Sequence, residues 1–213
     1  MREDTCDRKE IRGAMHKSMS PPESQALETP GCPIRCAIVE GLLTEEEILA
    51  RVREIGNRIS GDYPDLNRPL LLVGVLKGAA LFLADLVRAI QRPVEIDFVT
   101  VASYGAETHS SGDVRVLRGL DADVTGKDVI IVDDILDTGL TLRFSSVMEN
   151  LRAGRASSVK VCVLLDKPAR RQVHIDVEYR GFVIEDRFVV GYGMDYGEQY
   201  RNLPYIGVLV FES

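Results

Sequence analysis

The run Leu70-Leu-Leu-Val-Gly-Val-Leu76 is the feature that most constrains this chain. A strand with one wet face alternates apolar and polar residues, whereas this segment has almost no polar position, so both of its faces must be covered. Two more compact apolar runs, Val129–Val132 and Val159–Leu165, carry the same signature. Helical spacing lies between them: Leu81, Leu83, Leu86, Val87 and Ile90 give Ala79–Ile90 an apolar side, and Leu140–Leu151 follows the second run. Alternating buried strands and helices from Leu70 to Leu165 predict an α/β fold with a mostly parallel, twisted sheet flanked by helices. Val94–Val101 reads as another strand, and Val114–Leu117 as a short one for which an antiparallel return is open.

The first ordered helix is signalled by Thr44-Glu-Glu-Glu47. This is a capping box, followed at helical spacing by Ile48, Leu49, Val52, Ile55 and Ile59. Residues 1–40 have no sustained period and read as a flexible N-terminal extension. The remaining residues 41–213 are expected to form one domain, with a core over about 65–166. From Lys167 to about 205 the chain is richer in short strands, aromatics and Gly, and is read as a small hood lobe over the end of the sheet.

Charge and cysteine usage restrict the function classes. A net charge of −7 and a pI near 5.1 argue mildly against a general nucleic-acid or anionic-membrane binder, which needs a basic face, while leaving room for a small anionic ligand held by local positive groups. The charged opening MREDTCDRKE lacks the apolar core of a signal peptide, and no apolar stretch is long enough to span a bilayer. The cytoplasm is therefore the expected compartment. Cys32 and Cys36 could begin a metal site, but no second Cys or His pair with matching spacing follows, so structural zinc is not expected. Cys162, inside an apolar run, reads as a buried free thiol.

Chemistry concentrates in Ile130-Ile-Val-Asp-Asp-Ile-Leu-Asp-Thr-Gly-Leu-Thr-Leu142. A buried strand runs into Asp133-Asp134, then Asp137-Thr138-Gly139, and a helix opens at Leu140-Thr141. Such a turn sits at the carboxyl end of a strand, where α/β sheets bind ligands. Amides near Gly139 and the helix N-terminus suit an anion, with hydroxyl donors from Thr138 and Thr141. The paired acids suit ribose hydroxyls, directly or through Mg²⁺. Taken alone, D-x-x-D-T-G also fits a helix N-cap beside a solvated loop; the length of the whole pattern favours the ligand site.

With these residues in view, the chain resembles the type I phosphoribosyltransferases over about residues 40–212, and more narrowly their hypoxanthine-guanine branch. Three further stretches carry the resemblance: Val73-Gly-Val-Leu-Lys-Gly-Ala79, Ser103-Tyr104 with the polar residues after it, and Leu165-Asp-Lys-Pro-Ala-Arg170 followed by Asp186-Arg-Phe-Val-Val-Gly-Tyr-Gly-Met-Asp-Tyr196 and Arg201. The resemblance implies the type I phosphoribosyltransferase fold and transfer from phosphoribosyl pyrophosphate (PRPP) to a 6-oxopurine, with Mg²⁺ as cofactor. It implies PRPP binding by Asp133, Asp134, Asp137, Thr138, Gly139, Leu140 and Thr141, and pyrophosphate binding by Lys77, Gly78 and Arg201, often with a cis peptide before the Lys. Ser103 and Tyr104 would begin a lid loop. Lys167, Phe188, Val189 and Asp195 would form the base site, Asp133, Asp134 and Asp195 would serve the metal, and Asp137 would be the general base. It also implies a homodimer or homotetramer. Two positions depart from the pattern: Asp133 stands where many relatives carry Glu, and Leu140 where some carry Lys. A PRPP- or nucleotide-binding regulator of the same fold, or a transferase for xanthine or another base, remains an alternative reading.

Overall fold

In the computed structural model, the described residues are 25–26, 37–103, 114–137, 141–170 and 175–211. Cys32 and Cys36 lie outside them. A six-stranded sheet has the order β5-β4-β3-β6-β7-β8. Its strands are β3 (Leu70–Leu76), β4 (Glu95–Ser103), β5 (Val114–Arg118), β6 (Asp128–Leu136), β7 (Ser158–Asp166) and β8 (Tyr179–Val183). Five of them run parallel, and β5 returns antiparallel along the edge of β4.

Helices α1 (Glu45–Asp62), α2 (Ala80–Ala89) and α3 (Thr141–Ala153) cover this sheet. The faces of the central strands explain their unbroken apolar composition. Leu70, Leu72, Ile130 and Val132 pack with Ile48, Val52, Ile59, Phe82 and Leu86 of α1 and α2. Leu71, Val73, Val129 and Ile131 pack with Val147 and Leu151 of α3. The capping box forms as expected: Glu47 N–H donates to Thr44 Oγ1 at 3.2 Å, and Thr44 N–H donates to Glu47 Oε2 at 2.8 Å. Cys162 is a free, fully buried thiol.

Three sequence expectations need correction. Strand β6 does not stop at Asp133-Asp134 but continues to Leu136, in constant register with β7. Strand β8 belongs to the main sheet rather than to the hood, because it pairs in parallel with β7 from Cys162↔Tyr179 to Asp166↔Val183. Regular structure also begins ahead of Gly41. Strand β2 (Ala37–Leu43) pairs along β10 (Ile206–Phe211), in a second sheet of order β1-β2-β10-β9. The small partners in that sheet are β1 (Gln25–Ala26) and β9 (Val189–Val190).

This second sheet is the hood, and it does not pack as a separate body. Val189, Tyr192, Met194, Ile206 and Val208 share one apolar cluster with α1, α2 and the central strands. Tyr192 adds a polar tie, its hydroxyl donating to Asp85 Oδ2 on α2 at 2.7 Å. Burying full-sized apolar side chains stabilises by about 1.5–3 kcal/mol each, so this shared cluster fixes the hood firmly over the strand ends.

Candidate active site

Strand order locates the site. From β3, the chain crosses through α2 to β4 on one side; from β6, it crosses through α3 to β7 on the other. Beyond the carboxyl ends of the adjacent strands β3 and β6 the connections diverge, which opens a crevice at the topological switch point. The crevice is a cleft of about 470 Å³. Its walls are the β3–α2 turn with Lys77 and Gly78, the end of β6 with Asp133, Asp134 and Asp137, Lys167 after β7, and hood residues Phe188, Val189, Asp195 and Arg201.

Two carboxylates come from the end of β6 and are almost wholly buried. Asp133 Oδ1 accepts from Asp134 N–H at 2.9 Å, and Asp134 Oδ1 accepts from Ile135 N–H at 3.0 Å. Short polar side chains that take neighbouring backbone donors compete with the sheet ladder. The facing of the strand changes across this pair: Ile130 and Val132 point into the α1/α2 cluster with Ile135, while Leu136 joins the α3 cluster. Ile135 is thereby turned toward the cleft that it lines.

The β3–α2 turn contacts the same carboxylate. The Leu76–Lys77 peptide is cis. A Cβ added at Gly78 would overlap Asp134 Oδ2 and lie 2.6 Å from its Cγ, so only glycine leaves room for this approach. From the other side, Gly193 sits at φ +100°, and a Cβ there would overlap the Gly78 carbonyl oxygen. Turn, the Asp134 carboxylate and the hood loop therefore meet at Gly78, which has no side chain to hold them apart.

At one end of the cleft, Lys167 is buried, and its N–H donates to Leu136 O at 3.1 Å. Its Nζ lies 3.4 Å from Asp137 Oδ2. Phe188 lines the same cleft, is 49% exposed, and has its ring braced edge-on by Tyr196, centroids 5.5 Å apart. A large apolar ring left open in a cleft is a platform for a flat ligand.

At the other end, Arg201 Nη1 donates to Gly193 O at 2.7 Å, and Nη2 lies 2.7 Å from Asp195 Oδ1. Lys77 Nζ donates to Glu198 Oε1 at 2.9 Å. Hydrogen bonds from Lys77, and next from Arg201, hold the Glu198 carboxyl below the usual carboxylate range.

The remaining sequence candidates are placed only in part. Ser103 ends β4 and Thr141 opens α3. Tyr104, Thr138, Gly139 and Leu140 lie outside the described residues. Sequence reasoning missed Ile135, Met194 and Glu198. Ile135 could have been suspected from its place between the motif's acids, and Met194 from its place in the Asp186–Tyr196 stretch; Glu198 carries no local signal.

The donor set also bears on a metal. Among the described residues, no three His, Cys, Asp or Glu side chains converge to cage an ion. That suits Mg²⁺, which usually takes one or two carboxylates and completes its shell with substrate oxygens and water.

The chain matches the phosphoribosyl transferase domain family over residues 39–197. It is 49% identical over 172 residues to a hypoxanthine phosphoribosyltransferase of Salmonella typhimurium, covering 81% of this chain and 96% of that one. It is 48% identical over 175 residues to a hypoxanthine-guanine phosphoribosyltransferase of Bacillus subtilis, covering 81% and 95%. The crystal structure of a hypoxanthine phosphoribosyltransferase from Staphylococcus aureus superposes with a TM-score of 0.74 at 46% identity, covering 80% and 91%.

Proposed function

This chain belongs to the phosphoribosyltransferase family, and from that premise we propose that it joins hypoxanthine or guanine to the phosphoribosyl group of PRPP. The products are IMP or GMP and pyrophosphate, a purine-salvage reaction. The observation that carries the choice of base is the Lys167–Asp137 pair, 3.4 Å apart, beside the open ring of Phe188. A 6-oxopurine presents its O6 acceptor and its N7 side by side on one edge. Lys167 donates to O6, Asp137 faces N7, Phe188 stacks on the rings, and Val189 borders the pyrimidine end. Adenine would turn a 6-amino donor toward the Lys167 donor, and unpaired buried polar groups discriminate strongly.

The reaction is displacement at the anomeric carbon of PRPP by purine N9. Its transition state gathers positive charge on the ribose and negative charge on the leaving diphosphate. Lys77, the backbone at Gly78, and Arg201 take the diphosphate charge. Asp133 and Asp134 hold the ribose hydroxyls, and Thr138, Gly139, Leu140 and Thr141, the last of which opens α3, receive the 5′-phosphate. Asp137 accepts the proton that the purine loses. Asp133 and Asp134, with Asp195, would hold Mg²⁺, which when bound would neutralise diphosphate charge. By the resemblance, Ser103, at the end of β4, and Tyr104 would begin a lid that excludes water from the ribosyl centre. By the same resemblance the protein assembles as a homodimer or homotetramer, which light scattering on the purified chain would decide.

Among the described residues no helix is long and apolar enough to cross a membrane. The deciding experiment is an assay with PRPP and Mg²⁺ against guanine, hypoxanthine, xanthine, adenine and uracil, following nucleotide and pyrophosphate together. Turnover with guanine or hypoxanthine, abolished by EDTA, is the expected outcome. Turnover confined to adenine or uracil would overturn the assignment of the base site.

A further inference from the structure

Glu198 belongs to none of the motifs above, yet it engages both cations assigned to the diphosphate. Its Oε1 accepts from Lys77 Nζ at 2.9 Å, and its Oε2 lies 3.3 Å from Arg201 Nη2. Lys77 stands on the β3–α2 turn and Arg201 on the hood, 124 positions later in the sequence. One carboxylate thus bridges the two walls at the mouth of the cleft.

The bridge is held from its backbone. Glu198 N–H donates to Asp195 Oδ2 at 2.9 Å. The residue sits at φ +65°, a region that non-glycine residues occupy seldom. Its side chain is nonetheless 65% exposed, so nothing buries it and it can swing away without opening the core. Two oxygens shared between two cations reproduce the charge that one end of a diphosphate would bring.

We infer that Glu198 is an internal stand-in for the diphosphate. It occupies Lys77 and Arg201 while the site is empty, keeps them in place for the incoming substrate, and competes with pyrophosphate so that this product leaves readily. The inference rests on reading the cleft as a phosphoribosyltransferase site, and it adds a positioning residue that tunes diphosphate affinity. A purely structural Glu198 would behave oppositely, since its loss would let both cations drift and weaken binding.

Titration calorimetry of the full chain with inorganic pyrophosphate and Mg²⁺ separates the two. Glu198→Gln, close in shape but uncharged, should bind pyrophosphate about three- to tenfold more tightly, the size expected for two exposed ion pairs released from competition. The KM for PRPP should fall in parallel while kcat does not rise, because bound pyrophosphate leaves more slowly. Glu198→Asp keeps the charge and should stay near the wild-type affinity. Glu40→Gln removes an equal charge from the hood's Glu40–Arg187 pair and should leave pyrophosphate affinity unchanged. Unchanged or weaker binding by Glu198→Gln would overturn the inference, as would equal tightening by Glu40→Gln. Failure of the wild-type chain to bind pyrophosphate would overturn the site reading and the inference together.

Discussion

Replacing Gly78 by Ala tests whether the close approach of turn and acidic strand end governs activity. The added methyl would lie 2.6 Å from Asp134 Cγ and overlap Oδ2. Non-bonded carbons settle at about 3.5–4.0 Å, so the carboxylate must retreat by roughly 1 Å. It has little room to do so, being 8% exposed and holding the Ile135 N–H at 3.0 Å. Overpacking of this kind costs about 1–3 kcal/mol. In a domain of this size that lowers the melting temperature by roughly 2–10 °C, leaving the protein folded at 25 °C. A misplacement of that size at a reacting ligand costs about 10²-fold, which is the expected fall in kcat/KM for PRPP at 25 °C. Calorimetry and initial rates should also be taken in an Asp134→Ala background, where the obstructing carboxylate is gone and the melting shift from Gly78→Ala should nearly vanish. Wild-type activity in the single variant, or an equal melting shift in both backgrounds, would refute the reasoning.

Other perturbations have equally definite outcomes. Asp137→Asn should lower kcat by about 10²–10⁴-fold with a smaller change in KM for PRPP, and near-normal turnover would remove Asp137 as the base. Lys167→Gln should raise KM for hypoxanthine and guanine more than for PRPP, whereas equal rises would contradict a role in reading the base. Alkaline pH should destabilise the fold: burial pushes the Cys162 thiol and the Tyr179 and Tyr192 hydroxyls above their ordinary values, Tyr179 and Tyr192 being raised further by their bonds to Asp62 and Asp85. Their stabilisation is complete below the unfolded values of about 8.5 for Cys and 10 for Tyr, and is lost as pH rises beyond them, because the unfolded chain ionises first. Melting temperatures measured from pH 7 to 11 should therefore fall above about pH 9, and a flat profile would contradict this. Thr44→Ala removes the hydroxyl of the capping box and should cost about 1 kcal/mol by denaturant titration, with no effect on KM.

What could be read from sequence were the features whose cause is local or periodic. Leu70–Leu76 shows its burial on both faces in its composition, and Thr44 with Glu47 forms its cap within four residues. Lys77, Asp133, Asp134, Asp137, Lys167, Phe188 and Arg201 were each visible inside a motif, and all line one cleft. The hood was harder to see. Ala-Ile-Val-Glu-Gly-Leu-Leu of β2 has no clean alternation, and its partner β10 lies at the far end of the chain. Tyr-Arg-Gly-Phe-Val of β8 reads as a strand but not as an edge of the main sheet, because the pairing that decides this is non-local. Glu198 looked like any surface glutamate until folding brought Lys77 to it across 121 positions.

The antiparallel seam between β2 and β10, running from Ala37↔Phe211 to Ile206↔Leu43, has a consequence for how the protein is born. A ribosome makes β2 early and β10 late, so the first strand of the seam waits while the whole main sheet is synthesised. The core strands and their helices can pack in order of emergence, but β9, which carries Val189, pairs with β10 and must wait too. The hood wall of the cleft is thus the last to set, and a nascent chain stalled before Ile206 would hold its acidic strand end without the seam that locks the opposite wall in place.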